Sequence, residues 1–294
     1  MTYTIKRCLD DFIVEKLKPQ HADIGRAQYA ADRLLEFFDP KRDVATLTPK
    51  DIRAYRAKRL RDGVSDSTIR RELGVLKSAC NFAAEEEKIE AVPVWKLPPE
   101  GVPREVWFSE DQVEKILEQP MSDTMRLAIY LALGTGARRE AIVTLPVGRV
   151  DLAGGFVDFR DPRKPVTRKR RVKTKASAWL LPLLAKACAG KSPSELVIGG
   201  NPKTPKHNMR RISDEFSRTL KALDLYEKGV GLHSLRKTFI NWAFLNGAKS
   251  AEVSAATGDN IATLEKHYVR MTAQHTAGAT GAIPDPTKGS NHAE

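Results

Sequence analysis

Cysteine, long apolar runs and negative charge are all scarce in this chain, and each shortage excludes something. Three cysteines occur in 294 residues. Cys8, Cys80 and Cys188 lie far apart, with no metal-ligand or redox spacing, so a reducing compartment is expected rather than a disulfide framework. No stretch approaches the roughly 20 apolar residues of a membrane span. The opening MTYTIKRCLDDF lacks the apolar core of a secretory signal, so a cytoplasmic protein is expected. There is no internal repeat and no long low-complexity tract. Acidic residues number 37 against 49 lysines and arginines, a formal charge of +12 with a pI near 9.6.

That imbalance is spread along the whole chain, which excludes a neutral fold with one basic tail. A polyanion is the natural partner. Nucleic acid is favoured over an anionic membrane surface, because the basic helices also carry ordinary core faces. With 41% hydrophobic and 29% charged residues, the composition is that of a globular protein long enough for two domains.

Residues 1 to about 95 read as helical throughout, with apolar residues at helical spacing around 9–17 and 27–38 and a stop at Asp39-Pro40. In TPKDIRAYRAKRLRDG, Thr48 is an N-cap candidate, Pro49 suits the first turn, Asp51 favours the helix dipole and Gly63 can close the end. Ile52, Tyr55 and Leu60 are expected inside, and Lys50, Arg53 and Arg56 elsewhere. In STIRRELGVLKSACNFAAEEE, spacings of four and three place Ile69, Leu73, Leu76, Cys80 and Ala83 on one core stripe. Arg70 and Lys77 lie on another side. Two helices apolar on one face and basic on another can straddle a phosphate backbone, although ordinary solvated side chains read the same way. The Pro-rich AVPVWKLPPEGVP (91–103) cannot continue a helix and marks a domain boundary.

The second part opens with a capping box, Ser109 with Gln112. A helix apolar on most sides follows, from Thr124 to Leu133. It runs into GTGARREAIVTL, where Gly134 and Gly136 allow a tight turn and Ala137–Leu145 can start a helix. Arg138 then lies near a helix N-terminus, where free N–H groups and the dipole attract anions. GFVDF alternates as a strand does, and SAWLLPL reads as strand-like on the far side. The basic run RDPRKPVTRKRRVKTK between them is read as a β-hairpin or sheet edge carrying lysines into a groove, with a disordered or targeting segment as the other reading. A helix from Asn208 carries Met209, Ile212, Phe216 and Leu223 inward and Arg210 and Arg211 in its first turn, against the dipole preference. The last feature is LHSLRKTFINWAFLNGAKSAEVSAATGDNIATLEKHY, with helices punctuated by Gly247 and Gly258. His233 and Arg236 are one turn apart and could meet one ligand, though such a pair is as often simply solvated. Tyr268 closes the stretch, and with Ile261 and Leu264 on its face it could equally be a core aromatic. Beyond Ala277 the chain is small, polar and expected to be poorly ordered.

TGAR with Arg138, HSLR with His233 and Arg236, and a late helix bearing Tyr268 fall in order within one domain. A basic segment lies between the first two. This set resembles the tyrosine recombinase, or phage integrase, family over nearly the whole chain. The stretch TLTPKDIRAYRAKRL…STIRRELGVLKSACNFA looks like that family's core-binding domain. The resemblance implies a mainly α fold with a small β-sheet: a helical, SAM-like core-binding domain at 1–95, a linker at 96–104, a mixed α/β catalytic domain at 105–280 and a disordered tail at 281–294. It also implies that Arg138 and Arg236 hold the non-bridging oxygens of a scissile DNA phosphate, that His233 assists proton transfer, and that Tyr268 is the nucleophile. A hairpin lysine protonates the leaving 5′-oxygen. Lys164, Lys169, Lys173 and Lys175 are available, and TRKRR points to Lys169. The phosphodiester energy stays in the protein–DNA link, so neither ATP, metal nor another cofactor is required.

Two departures stand out. Glu140 lies one position early for the family's acidic residue after the first Arg. Asp259 stands where a His or Trp donor is usual, and an ionised Asp cannot donate. His267 and Asn260 are the nearby alternatives. The implied DNA contacts are Lys50, Arg53, Arg56, Arg70, Lys77, Arg168 and Arg170. Implied partners are a duplex recombination site, three further copies in a tetramer around a Holliday junction, and accessory DNA-bending proteins. A phage- or bacterium-encoded integrase is expected. A Xer-like resolvase stays open because the chain begins in the helical part with no arm-binding domain, and a non-catalytic DNA-binding relative stays open because of Asp259.

Overall fold

A computed structural model describes residues 2–20, 24–101, 106–161, 170–227 and 229–267. The chain separates into two compact units, residues 1–102 and 103–294.

The first unit is all helical. Thr4 caps α1 (Ile5–Asp11), which runs on through a π-helical turn, Phe12–Leu17. Then come α2 (Ile24–Leu35), α3 (Pro49–Arg61) and α4 (Asp66–Glu85). The ends of α3 follow from sequence chemistry. The Thr48 hydroxyl accepts from the Asp51 N–H, the Asp51 carboxylate accepts from the Thr48 N–H, and Pro49 occupies a position where its missing N–H costs nothing. The expected stripe on α4 is fully buried at all five positions, against Ala31 and Leu34 of α2 and Tyr55 of α3. Leu60 departs from expectation and is 44% exposed. Arg59 turns inward in its place, because Glu72 is buried on α4 and needs partners. It accepts from the Tyr55 hydroxyl at 2.7 Å and from Arg59 at 2.7 and 3.1 Å.

The second unit is built on α6 (Asp123–Thr135), which packs against α8 (Leu180–Cys188), α9 (Pro205–Ala222) and α10 (Leu232–Leu245). Before it comes α5 (Glu110–Glu118), with the Ser109–Gln112 box formed, and after it the short α7 (Arg139–Val143). Strands β1 (Val150–Asp151), β2 (Phe156–Asp158) and β3 (Lys173–Lys175) form an antiparallel meander. Val157 pairs with Thr174, and both are buried. The flanking Lys173 and Lys175 point out, the alternation a half-buried sheet requires. Last come α11 (Ser250–Thr257) and α12 (Ile261–His267). A separate apolar cluster of Ile240, Phe244, Val253 and Leu264 ties them to α10. The result is the expected mainly α architecture with a small sheet.

Four local expectations are corrected. SAWLLPL is no strand: α8 begins at Leu180 and buries Leu180 and Leu184, with Pro182 tolerated in the first turn, where its missing N–H breaks no helical bond. The basic run instead supplies β3 from its own end. Gly134 makes no turn. It stays helical, and its missing Cβ, which would lie 2.7 Å from Leu180, lets α8 come close, whereas Gly136 takes the left-handed conformation at φ +64°. Arg210 and Arg211 are not in a first turn, since α9 starts at Pro205, so no dipole penalty arises. Ile261 is 41% exposed, while Leu264 is fully buried.

Gly258 (φ +72°) turns the chain between α11 and α12, and a Cβ there would meet the Arg170 carbonyl oxygen at 2.7 Å. Gly63 has a similar φ of +76° with open space around it. Gly63→Ala should cost about 1–2 kcal/mol, the left-handed penalty alone. Gly258→Ala should cost about 1–3 kcal/mol more through overpacking. Chemical denaturation of the two variants measures the difference, and equal losses would mean that the hairpin side yields freely.

Candidate active site

The site is assembled by three elements that the fold brings together, two turns and a helix. The first is TGAR at the end of α6. The Thr135 hydroxyl donates to the Leu131 carbonyl and accepts from the Ala137 N–H, and Gly136 reverses the chain. A Cβ on Gly136 would strike the Phe239 ring at 2.4 Å, so glycine lets the end of α6 press directly on α10. This sets Arg138 at the N-cap position of α7.

The second element is α10. Arg236 shares a face with Phe239 one turn on, and its side chain is 2% exposed. It donates to the Gly136 carbonyl at 2.6 Å and the Thr257 carbonyl at 3.0 Å, and to the Asp259 carboxylate at 2.5 Å. A buried guanidinium needs such partners, because an uncompensated charge in the interior is very costly. The third element is the α11–α12 turn. Here the Ser254 hydroxyl donates to the Asp259 carbonyl, and the Asp259 N–H donates to the Thr257 hydroxyl.

Asp259 joins the three. One carboxylate oxygen accepts from Arg236 and the other from Arg138, also at 2.5 Å. Arg138 further donates to the Arg170 carbonyl at 2.6 Å, which ties the basic segment to the cluster. Arg171 beside it reaches Glu140 at 3.1 Å and the Thr144 hydroxyl. The displaced acidic residue thus anchors the strand leading into β3 to α7.

His233 lies one turn before Arg236 on α10, at the edge of the cluster. Its ring reaches solvent, yet enough protein surrounds it for desolvation to pull its pKa below the usual imidazole value. Repulsion from Arg236, Lys237 and Arg138 adds to this, while Asp259 opposes it. The surroundings therefore favour the neutral imidazole, which has one nitrogen able to accept a proton.

Of the remaining sequence candidates, Lys164, Arg168, Lys169 and Tyr268 lie outside the described residues, as does the expected tail. His267 is the last residue of α12, and its side chain is also outside the description. Asn260 is spent as a cap, its side-chain oxygen accepting from the Ala262 N–H of α12. Arg170 has an exposed side chain and enters the cluster through its carbonyl. In the first unit Lys50 and Arg53 are exposed and in no ion pair among the described residues. Three other proposed DNA contacts are engaged within the unit. Arg56 grips Asp66 with two bonds, Arg70 donates to the Pro98 carbonyl at 2.5 Å, and Lys77 reaches the Trp95 carbonyl. Among the described residues no group of three His, Cys, Asp or Glu could hold a metal ion, and no helix is long and apolar enough to cross a membrane. Sequence reasoning missed the carbonyls of Gly136, Thr257 and Arg170 and the acceptor role of Asp259. Only the last had any signal, an acid standing where the family has a donor, and that signal does not say what Asp259 accepts from.

The profile of the phage integrase family matches residues 106–275, more than half of the chain and the whole of this cluster. The chain belongs to the phage integrase family, the tyrosine recombinases. Its fold is similar to that of the Tn1549 transposon integrase in complex with a circular-intermediate DNA, at a TM-score of 0.76 and 16% identity, over 95% of this chain and 99% of that one. It is also similar to a lambda integrase dimer bound to a core site (TM-score 0.68, 17% identity, 91% and 77% covered) and to a lambda integrase tetramer bound to a Holliday junction (0.68, 18%, 88% and 78%). No curated protein sequence matches the chain.

The surroundings of His233 carry a pH prediction. Its NMR titration should give a pKa below about 6.5. Asp259→Asn removes the one opposing contribution and should lower it further, whereas Arg138→Ala should raise it. Because the fold favours the neutral ring, its contribution to stability is complete above the unfolded pKa. It is lost as pH falls from there through the folded value. An unchanged pKa in both variants would place the ring outside the field of the cluster.

Proposed function

We propose that this tyrosine recombinase is a site-specific integrase of a phage or other mobile element, cutting and rejoining DNA through a 3′-phosphotyrosine link. The observation that carries the reading is the convergence of two guanidiniums, from the start of α7 and from α10, on the two oxygens of a single anion. Paired guanidiniums spaced for two oxygens of one group also suit the non-bridging oxygens of a phosphodiester, where charge builds up as phosphorus becomes pentavalent. Preorganised donors aimed at developing charge supply the largest share of such catalysis.

In this scheme the Tyr268 phenol attacks phosphorus. Arg138 and Arg236 hold the non-bridging oxygens, and neutral His233 takes a proton or donates a hydrogen bond near the attacking oxygen. Lys169 protonates the departing 5′-oxygen. The reverse attack by a 5′-hydroxyl rejoins the strand. Exchange between two duplexes requires four such sites, so a tetramer on DNA is part of the proposal, with accessory bending proteins compatible with it. The exposed Lys50 and Arg53 of α3, with Arg168 and Arg170, are proposed to contact the DNA backbone. Arg56, Arg70 and Lys77 would share any such contact with their present partners. A Xer-like resolvase would use the same chemistry.

A second reading has one observation in its favour: Asp259 already holds both arginines, as expected of a relative that binds DNA without cutting it. A suicide substrate nicked beside the cleavage point separates the two. The recombinase reading predicts a covalent protein–DNA adduct that disappears in Tyr268→Phe. It also predicts that Arg138→Ala slows adduct formation by about 10²–10³-fold, with duplex affinity changed only a few-fold. Tight binding without any adduct would favour the non-catalytic reading.

A further inference from the structure

Asp259 stands out because its charge is the wrong sign for a residue that touches a phosphate. Its carboxylate lies between Arg138 and Arg236, one oxygen to each at 2.5 Å. It thus uses the donors that a phosphodiester would need. Its side chain is 16% exposed, against 27% for Arg138 and 2% for Arg236, so it lies near the surface of the cluster with the buried guanidinium beneath.

We propose that Asp259 is an internal counter-anion that holds the place of a phosphate between the two arginines, and that DNA must displace it to load the site. This rests on the reading of the cluster as a phosphate site and goes further, by assigning that site a built-in competitor.

Two features favour displacement over a fixed structural bridge. The backbone of Asp259 is secured without its carboxylate, by the Ser254 hydroxyl on its carbonyl and the Thr257 hydroxyl on its N–H. Gly258 completes the turn at a left-handed φ. Rotation about the side-chain bonds can therefore move the carboxylate away while the turn stays in place. Moreover, Arg236 keeps two carbonyl partners, Gly136 and Thr257, when Asp259 leaves. The guanidinium stays oriented, and the incoming anion restores the charge partner. A site built this way resists stray anions, because any ligand must outcompete a tethered carboxylate already in place. A phosphodiester delivered by a bound duplex has that advantage, and a free anion does not.

The test uses the full chain and inorganic phosphate as the probe, at constant ionic strength. Affinity is read from the imidazole resonance that is lost in His233→Gln. Asp259→Asn keeps the shape and removes the charge, and should bind phosphate about tenfold more tightly, a gain of about 1.4 kcal/mol. Glu118→Gln, the same charge change outside the cluster, should leave affinity unaltered. Without phosphate Asp259→Asn should melt lower than the parent, and added phosphate should raise its Tm more than the parent's. If that variant folds poorly, Asp259→Ser, too short to reach both guanidiniums, should show the same gain. Affinity that is unchanged or weaker in both variants, while still dependent on Arg138, would overturn the inference and make Asp259 a fixed scaffold. Phosphate binding indifferent to Arg138→Ala would remove the phosphate-site reading and the inference with it.

Discussion

The buried guanidinium of Arg236 is the constraint on which the second unit depends. A charge at that depth is tolerable only when its donors are met, and they are met by three groups from two distant parts of the chain. The carbonyl of Gly136 comes from the end of α6, the carbonyl of Thr257 from the end of α11, and the carboxylate of Asp259 from the following turn. Each of these turns is made possible by a glycine in the left-handed conformation, Gly136 or Gly258. Each glycine also permits a close approach, one to Phe239 and the other to Arg170. Packing and polar satisfaction therefore reinforce each other. The same glycines that let the helices touch bring the carbonyls within reach of the arginine.

The basic character of the chain divides into two populations. Arg56 and Arg59 in the first unit, like Arg236 in the second, are engaged by acids and serve to hold helices together. Lys50, Arg53, Lys173 and Lys175 point outward and supply the field that a polyanion would meet. The count of 49 lysines and arginines therefore overstates the number of cations ready for phosphates. Ion pairs inside the units account for several of them.

His233 shows how the cluster sets chemistry as well as shape. Desolvation and the neighbouring cations favour its neutral ring, while Asp259 pulls the other way. The residue that neutralises the arginines thus also tempers the histidine, against the larger effects of desolvation and Arg236.

What the sequence determined by itself was local. The N-cap at Thr48, the capping box at Ser109 and the stripe on α4 depend on residues within a few positions of one another, and all were legible. The ordered set of Arg138, His233 and Arg236 was legible as a family resemblance, and the fold brings Arg138 and Arg236 onto one carboxylate. Tertiary structure decided the rest. SAWLLPL has no period that separates a buried helix turn from a strand, and only its docking on α6 resolves it. Arg59 replaces Leu60 inside because Glu72, on another helix, needs a cation. Asp259 reads as a misplaced donor until the fold brings it against Arg138, 121 residues away in the chain, and Arg236, 23 residues away. Its role is to accept from both, and nothing local to Asp259 carries that information.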